Sequence, residues 1–194
     1  MSFFLTNDLI PPIEGLTYQV DFLSEEEEKA LIEQIDAEKW LIELKRRVQH
    51  YGYKYDYKAR KIDESMQINQ IPSWADFMVQ RLKNDIGFNP NQLIINEYEP
   101  GQGIAPHIDC VPCFEETIVS ISLLSALVLD FISREDKNLK HPILLAPKSI
   151  VIMQKDARYL WQHGIKPLKA DYWQGKKIPR GRRVSLTFRT VKLA

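Results

Sequence analysis

The order of elements in this sequence predicts an α+β fold, mainly β, with helices packed on a β-sandwich or barrel-like sheet. Helical patterns are confined to the residues before 91, and short apolar runs bounded by turn residues fill the remainder. Those runs follow one another as strands, which argues against alternating βαβ units. The chain has 194 residues, 44% of them hydrophobic and 27% charged, enough for one domain with a substantial core.

Residues 16–22, LTYQVDF, have the composition of a strand. Ser24 and Glu27 then form a capping box at the start of SEEEEKALIEQIDAEKW. Its glutamates crowd the first turn, where the helix dipole favours negative charge. Leu31, Ile32 and Ile35 supply the buried face. A second helix is expected after Pro72, with Ser73 as its N-cap and Trp74, Phe77, Met78 and Leu82 as a core-facing stripe. From Asn91 the texture changes. QLIINEYE, a PGQG turn, IAPHID, TIVSISLLSALVLDFIS, PILLAPKSIVIMQ and RVSLTFRTV read as strand sequence. No repeat or low-complexity tract is present.

Formal net charge is zero, so attraction to a polyanion must come from a local patch. The two cysteines, Cys110 and Cys113, are too few for a disulfide framework and suit a reducing compartment. Their C-x-x-C spacing lacks the helix start of a redox motif and the further ligands of a zinc site, so they read as structural or incidental. The N-terminal MSFFLTNDLIPP has no signal-peptide pattern, and no apolar run reaches the ~18 residues needed to span a bilayer. A cytoplasmic, monomeric protein without membrane contact is expected.

Side chains two apart on a strand share a face, which turns spacing into geometry. His107 and Asp109 project together, as do Asn96 and Tyr98. On the last strand Arg183, Ser185, Thr187 and Arg189 share one face, while Val184, Leu186 and Phe188 face a hydrophobic core. Inward arginines need an anion, and a guanidinium matches a carboxylate in two-pronged fashion. A bound dicarboxylate is one reading; an exposed edge strand with solvated charges is the other. Arg183 and Arg189 would lie roughly 20 Å apart along an extended strand, too far to grip one short acid together. Of the histidines, His141 reads as a surface residue. His163 precedes Gly164 after an aromatic-rich strand, where a turn could aim it at His107 and Asp109. Two imidazoles and one carboxylate make the facial triad of non-haem Fe(II) oxygenases, which leaves positions for a co-substrate and O₂.

With these residues in view, NEYEPGQGI..HID, RYLW.HGI and RRVSLTFR resemble the AlkB family of Fe(II)- and 2-oxoglutarate-dependent dioxygenases, over residues 45–192. The resemblance implies a double-stranded β-helix, a distorted jelly roll, with N-terminal helices buttressing one sheet. It implies that 1–194 is a single domain, with helices and a nucleotide-recognition lid in about 1–90 and the double-stranded β-helix in 91–192. It implies Fe(II) held by His107, Asp109 and His163, and 2-oxoglutarate contacted by Asn96, Tyr98, Arg183, Ser185, Thr187 and Arg189. Arg183 would take the far carboxylate and Arg189 would sit near the iron-chelating end. Ser185 departs from the asparagine of the founding members and reaches less far.

The segment LKRRVQHYGYKYDYKARK, residues 44–61, mixes cations with Tyr51, Tyr53, Tyr55 and Tyr57, which would share a face if extended. Phosphates and stacked bases suit that mixture, so a single-stranded or flipped-base nucleic acid is the expected partner. A surface ribbon whose tyrosines pack on the core is the competing reading. In the family a matching R…YG segment belongs to the substrate lid, which points to Arg47 and Tyr51. The expected reaction is oxidative dealkylation of N-methylated bases in DNA or RNA. Hydroxylation of a modified wobble uridine in tRNA is the first alternative, and a protein or lipid substrate the second. The acidic pair Glu115 and Glu116 reads as solvated loop charge.

Overall fold

The computed structural model describes residues 10–42, 45–56 and 61–193. A six-stranded antiparallel sheet runs in the order β1 (Leu16–Gln19), β8 (Ile150–Met153), β5 (Phe114–Leu123), β12 (Arg183–Val191), β3 (Gln92–Tyr98) and β2 (Val48–Tyr51). A four-stranded antiparallel sheet faces it, in the order β4 (Ile104–His107), β9 (Trp161–Ile165), β6 (Leu127–Ser133) and β7 (Lys140–Leu145). The hairpin β10 (Ala170–Trp173) and β11 (Lys176–Pro179) stands apart. The expected jelly-roll layering is therefore present, and the larger sheet recruits β1 and β2 from before residue 91.

Among the described residues three α-helices are placed: α1 (Glu25–Ala37), α2 (Asp76–Ile86) and the short α3 (Lys155–Tyr159). Helix α1 begins with the expected capping box, Ser24 and Glu27 each satisfying the other's backbone. Leu31 and Ile35 are buried against the outer face of the larger sheet. Met78 and Leu82 of α2 join them, together with Leu93, Ile95, Val119, Ile121, Val184, Leu186 and Phe188 from the strands. A second cluster fills the space between the sheets, with Phe114, Ile118, Val151 and Met153 from one and Leu129, Phe131, Leu145 and Ile165 from the other. The helices thus buttress one sheet and leave its inner face to the site. Among the described residues no helix is long and apolar enough to cross a membrane.

Several expectations are corrected. Ser73 is not an N-cap: it opens a 3₁₀ turn, Ser73–Ala75, that leads into α2 without a side-chain cap. Phe77 is not core but 37% exposed, because the stripe buries only Met78 and Leu82 fully. TIVSISLLSALVLDFIS divides at Leu124, whose φ of +72° turns the chain out of the larger sheet and into the smaller. PILLAPKSIVIMQ divides likewise near Lys148, with φ +63°. Neither residue is a glycine; Pro147 and Ser149 mark the second break in the sequence, whereas the first has only Ser125 beside it.

The strand at 48–51 ends where Gly52 takes φ +80°. A Cβ built there would stand 1.9 Å from the Asn91 carbonyl oxygen. Gly52→Ala should therefore lower unfolding stability by about 2 kcal/mol or more, since left-handed strain alone costs about 1–2 kcal/mol and the clash adds to it. A urea midpoint equal to that of the parent protein would contradict this account of the turn.

Candidate active site

Strands β4 and β9 pair antiparallel, and their register sets His107 opposite His163. A bulge between Ile104 and His107 loosens the ladder there. The imidazole rings come to 4.4 Å between centroids. His107 is the last strand residue, so Asp109 lies in the following loop and not on the strand as the spacing suggested. It converges nonetheless: one ligand atom from each of His107, Asp109 and His163 lies within 4.8 Å of the others. His163 sits within β9 and is not turned in after it, and the aromatic-rich stretch before it is helix α3.

Asp109 is nearly fully buried and held from several sides. Its Oδ1 accepts from Arg189 Nη2 at 2.6 Å, and its Oδ2 lies 3.6 Å from His163 Nε2. His107 Nδ1 lies 2.9 Å from the Ala105 carbonyl oxygen, which leaves its Nε2 for the site. Burial would raise the Asp109 carboxyl, but Arg189, His163, His107 and Arg158 outweigh it and hold the group well below the carboxylate range.

The triad opens into a cavity of about 370 Å³. The inward face of β12 lines it, with Arg183, Ser185, Thr187 and Arg189 as expected. Asn96 and Tyr98 line it from β3, where Asn96 is the register partner of Ser185 and Tyr98 of Arg183. Arg183 is 2% exposed, donates from Nη2 to Ser122 Oγ at 2.8 Å and lies 5.4 Å from the Tyr98 ring centre. Its Nε, like that of Arg189, has no acceptor among the described residues. Burial pushes Arg183 down to about 10, with Tyr98 opposing the shift, so it stays charged at neutral pH. Ser185 Oγ is 3.1 Å from Ser120 Oγ across the β12–β5 pair.

The lid residues separate. Tyr51 is buried in the helix-side core, edge-on to Trp74, with its hydroxyl donating to Gln49 Oε1 at 3.1 Å. Burial pushes that hydroxyl up to about 12. Tyr53 is buried in the other core, between the sheets. The turn at Gly52 is the reason, and the expectation that these tyrosines share an accessible face is overturned. Of the described tyrosines of this segment, Tyr55 reaches the cavity, packed 5.7 Å from Phe114. Tyr57 falls outside the described residues. Arg47 is committed to Glu97, with contacts of 2.5 and 2.6 Å, and covers Trp40. Glu97 also accepts from Arg182 at 2.7 Å.

Residues not picked out in the sequence complete the site. Arg46 lines the cavity, donates from Nε to Asn96 Oδ1 at 2.9 Å and stands 5.4 Å from the Tyr98 ring centre. Strand parity could have found it. Asn96 and Tyr98 face inward, so Glu97 faces outward and takes one of the two consecutive arginines away from the cavity. Cys110 and Cys113 are joined in a disulfide that closes the turn after Asp109, where structural or incidental cysteines in a reducing compartment are expected from the sequence.

A family model described as the 2OG-Fe(II) oxygenase superfamily matches residues 15–189. The chain belongs to that superfamily. The "Alkylated DNA repair protein ALKBH8 homolog" of Arabidopsis thaliana is 33% identical over 204 residues, which cover 93% of this chain and 59% of that protein. The "tRNA (carboxymethyluridine(34)-5-O)-methyltransferase alkbh8" of Xenopus tropicalis is 35% identical over 209 residues, covering 94% of this chain and 32% of that protein. The solved structure of OsALKBH1 shares the fold, with a TM-score of 0.69 at 17% identity, over 91% of this chain and 96% of that one. The chain is an AlkB-like 2OG-Fe(II) oxygenase, a class whose chemistry uses Fe(II), 2-oxoglutarate and O₂.

The residues present fit those groups. Metal ligation needs a neutral imidazole and an ionised carboxylate. Burial and the neighbouring His107 push His163 down to about 3, leaving it neutral at pH 7, while Asp109 is ionised. The buried Arg183 Nε without an acceptor suits a carboxylate.

The low value of His163 has a consequence for stability. Its folded value of about 3 lies below its ordinary 6.5, so between those pH values the unfolded chain binds a proton that the folded chain refuses. The stabilisation is complete above about 6.5 and is lost as pH falls towards 3. Urea midpoints of the metal-free protein should therefore fall between pH 7 and pH 5. His163→Asn should flatten that dependence; an equally steep variant would rule out His163 as its source.

Proposed function

We propose that this chain is a dioxygenase that oxidises an alkylated or modified nucleobase, chiefly by oxidative removal of N-methyl groups from DNA or RNA. The observation that carries the oxygenase assignment is one cavity in which the His107–Asp109–His163 cluster meets a buried arginine with a vacant donor. In this reading those three residues hold Fe(II), which supplies O₂ activation coupled to decarboxylation of 2-oxoglutarate to succinate. Arg183 binds the far carboxylate, with Tyr98 packed beside its guanidinium. Arg189 keeps Asp109 ionised and aimed, and Asn96, Ser185 and Thr187 line the co-substrate's path. One oxygen atom goes to succinate and the other into a substrate C–H bond. On an N-methyl group the resulting hemiaminal breaks its C–N bond, releasing formaldehyde and the free amine.

The nucleobase part of the proposal is supported by the names of the Arabidopsis and Xenopus relatives, of which the chain spans only 59% and 32%. The proposal takes the chain as a monomeric catalytic unit, with the lid in its first 90 or so residues and the jelly roll after them. The Xenopus relative also favours a second reading, hydroxylation of a modified wobble uridine in tRNA.

Succinate release should be measured in parallel with N-methylated single-stranded DNA, N-methylated RNA and bulk tRNA, with mass spectrometry of each product. Formaldehyde from a methylated oligonucleotide is the expected result. Gain of one oxygen on tRNA without formaldehyde would favour the second reading. No coupled turnover on any nucleic acid would sink both. Independently, Arg183→Met should raise the KM for 2-oxoglutarate by at least about 30-fold, the effect of unpairing a buried charge. An unchanged KM would remove Arg183 from the co-substrate site.

A further inference from the structure

Helix α3 carries a buried cation that the proposed function does not use. Arg158 is 2% exposed, and no carboxylate lies within ion-pair distance of it among the described residues. Its guanidinium is spent on main-chain oxygens: Nη1 donates to the Asp109 carbonyl at 2.8 Å and Nη2 to the Cys110 carbonyl at 3.3 Å. Its Nε reaches the Glu115 carbonyl at 3.5 Å, and the plane lies 5.1 Å from the Tyr159 ring centre. Burying a guanidinium without a counter-ion in contact is costly, and burial does pull Arg158 below its ordinary value. A side chain needed only to fill space would not require that charge.

The placement suggests what the cost secures. Asp109 lies beyond the end of β4, so no ladder hydrogen bond fixes its backbone. The disulfide closes the turn from Cys110 to Cys113 but does not determine where that turn sits against the smaller sheet. Arg158 does, because α3 leads directly into β9, which carries His163. One guanidinium therefore ties the loop of one ligand to the strand of another.

We infer that Arg158 is a positioning residue for the metal triad, fixing the Asp109 backbone relative to His163. This rests on the triad being the Fe(II) site. Outer contacts of this kind are typically worth ~10–100-fold in metal affinity.

Co(II) serves as the probe, titrated calorimetrically into metal-free wild-type, Arg158→Met and Arg158→Lys proteins, with thermal melts on each. The methionine variant should bind Co(II) ~10–100-fold more weakly while remaining folded, and lysine should recover part of the loss by donating to one of the two carbonyls. Its kcat should fall with the substrate KM unchanged. A lowered melting temperature with unaltered Co(II) affinity would show a merely structural role and overturn the inference. Full affinity in the methionine variant at an unchanged melting temperature would overturn it as well. If the wild-type protein itself fails to bind Co(II), the metal assignment of the triad falls, and this inference with it.

Discussion

The site depends on one backbone pairing, that of β4 with β9. His107 and His163 are 56 residues apart in sequence, and only their position as register partners makes them neighbours. The approach of the two strands is unusually close. A Cβ at Gly164 would stand 2.9 Å from the Pro106 backbone, so glycine beside one ligand is matched to proline beside the other. Proline is tolerated because β4 is the edge of its sheet, where a missing N–H breaks no inner ladder. Any side chain at 164 would push β4 outward and carry His107 with it.

Strand parity does the rest of the positioning. β12 and β3 each present one face to the helices and the other to the cavity, so the same residues that build the core orient the polar groups. Val184, Leu186 and Phe188 anchor the strand in the helix-side core while Arg183 and Arg189 are held at opposite ends of the cavity wall. Arg189 is neutralised by Asp109, whereas among the described residues Arg183 meets a serine hydroxyl and the Tyr98 ring but no carboxylate. Among the described residues lining the cavity, Asp109 is the one carboxylate against three guanidiniums, those of Arg46, Arg183 and Arg189. Such an excess of positive charge in a partly desolvated space favours a dianionic guest over a neutral one. In the proposed reading the objection that Arg183 and Arg189 stand too far apart for one short acid is met by a division of labour: Arg183 keeps an Nε without an acceptor among the described residues, while Arg189 holds the carboxylate of Asp109.

What could be read from the residues follows the same physics. Alternation with period two is a local property, so the inward sets on β3 and β12 were legible, and so was the capping box that starts α1. The turn at Leu124, with a lone serine beside it, was not, although Pro147 and Ser149 did mark the one at Lys148. Leu124 and Lys148 carry the chain between sheets in left-handed conformations that their side chains do not advertise. The lid shows the complementary failure. Tyr51, Tyr53, Tyr55 and Tyr57 alternate in sequence, but the turn at Gly52 breaks the strand and sends Tyr51 and Tyr53 into different cores. Alternation predicts a common face only while the backbone stays extended, and a glycine at φ +80° ends that condition. The Cys110–Cys113 bond was missed for another reason: a composition argument about disulfide frameworks says nothing of two thiols three positions apart in a tight turn.

The chemistry itself does not distinguish the two candidate outcomes. Whether oxygen insertion ends in formaldehyde or in a stable alcohol depends on the atom bonded to the oxidised carbon, nitrogen in one case and carbon in the other. The triad and Arg183 serve both equally. Selection must therefore lie with the groups that hold the base, and burial removes Tyr51 and Tyr53 from that set while Glu97 occupies Arg47. Of the basic and aromatic residues at 44–61, Arg46 and Tyr55 are the described ones that reach the cavity. Arg46 shares Tyr98 and Asn96 with the co-substrate side of the site. In the proposed function a base seated against Arg46 would be read beside 2-oxoglutarate, through the asparagine and the tyrosine ring that Arg46 contacts.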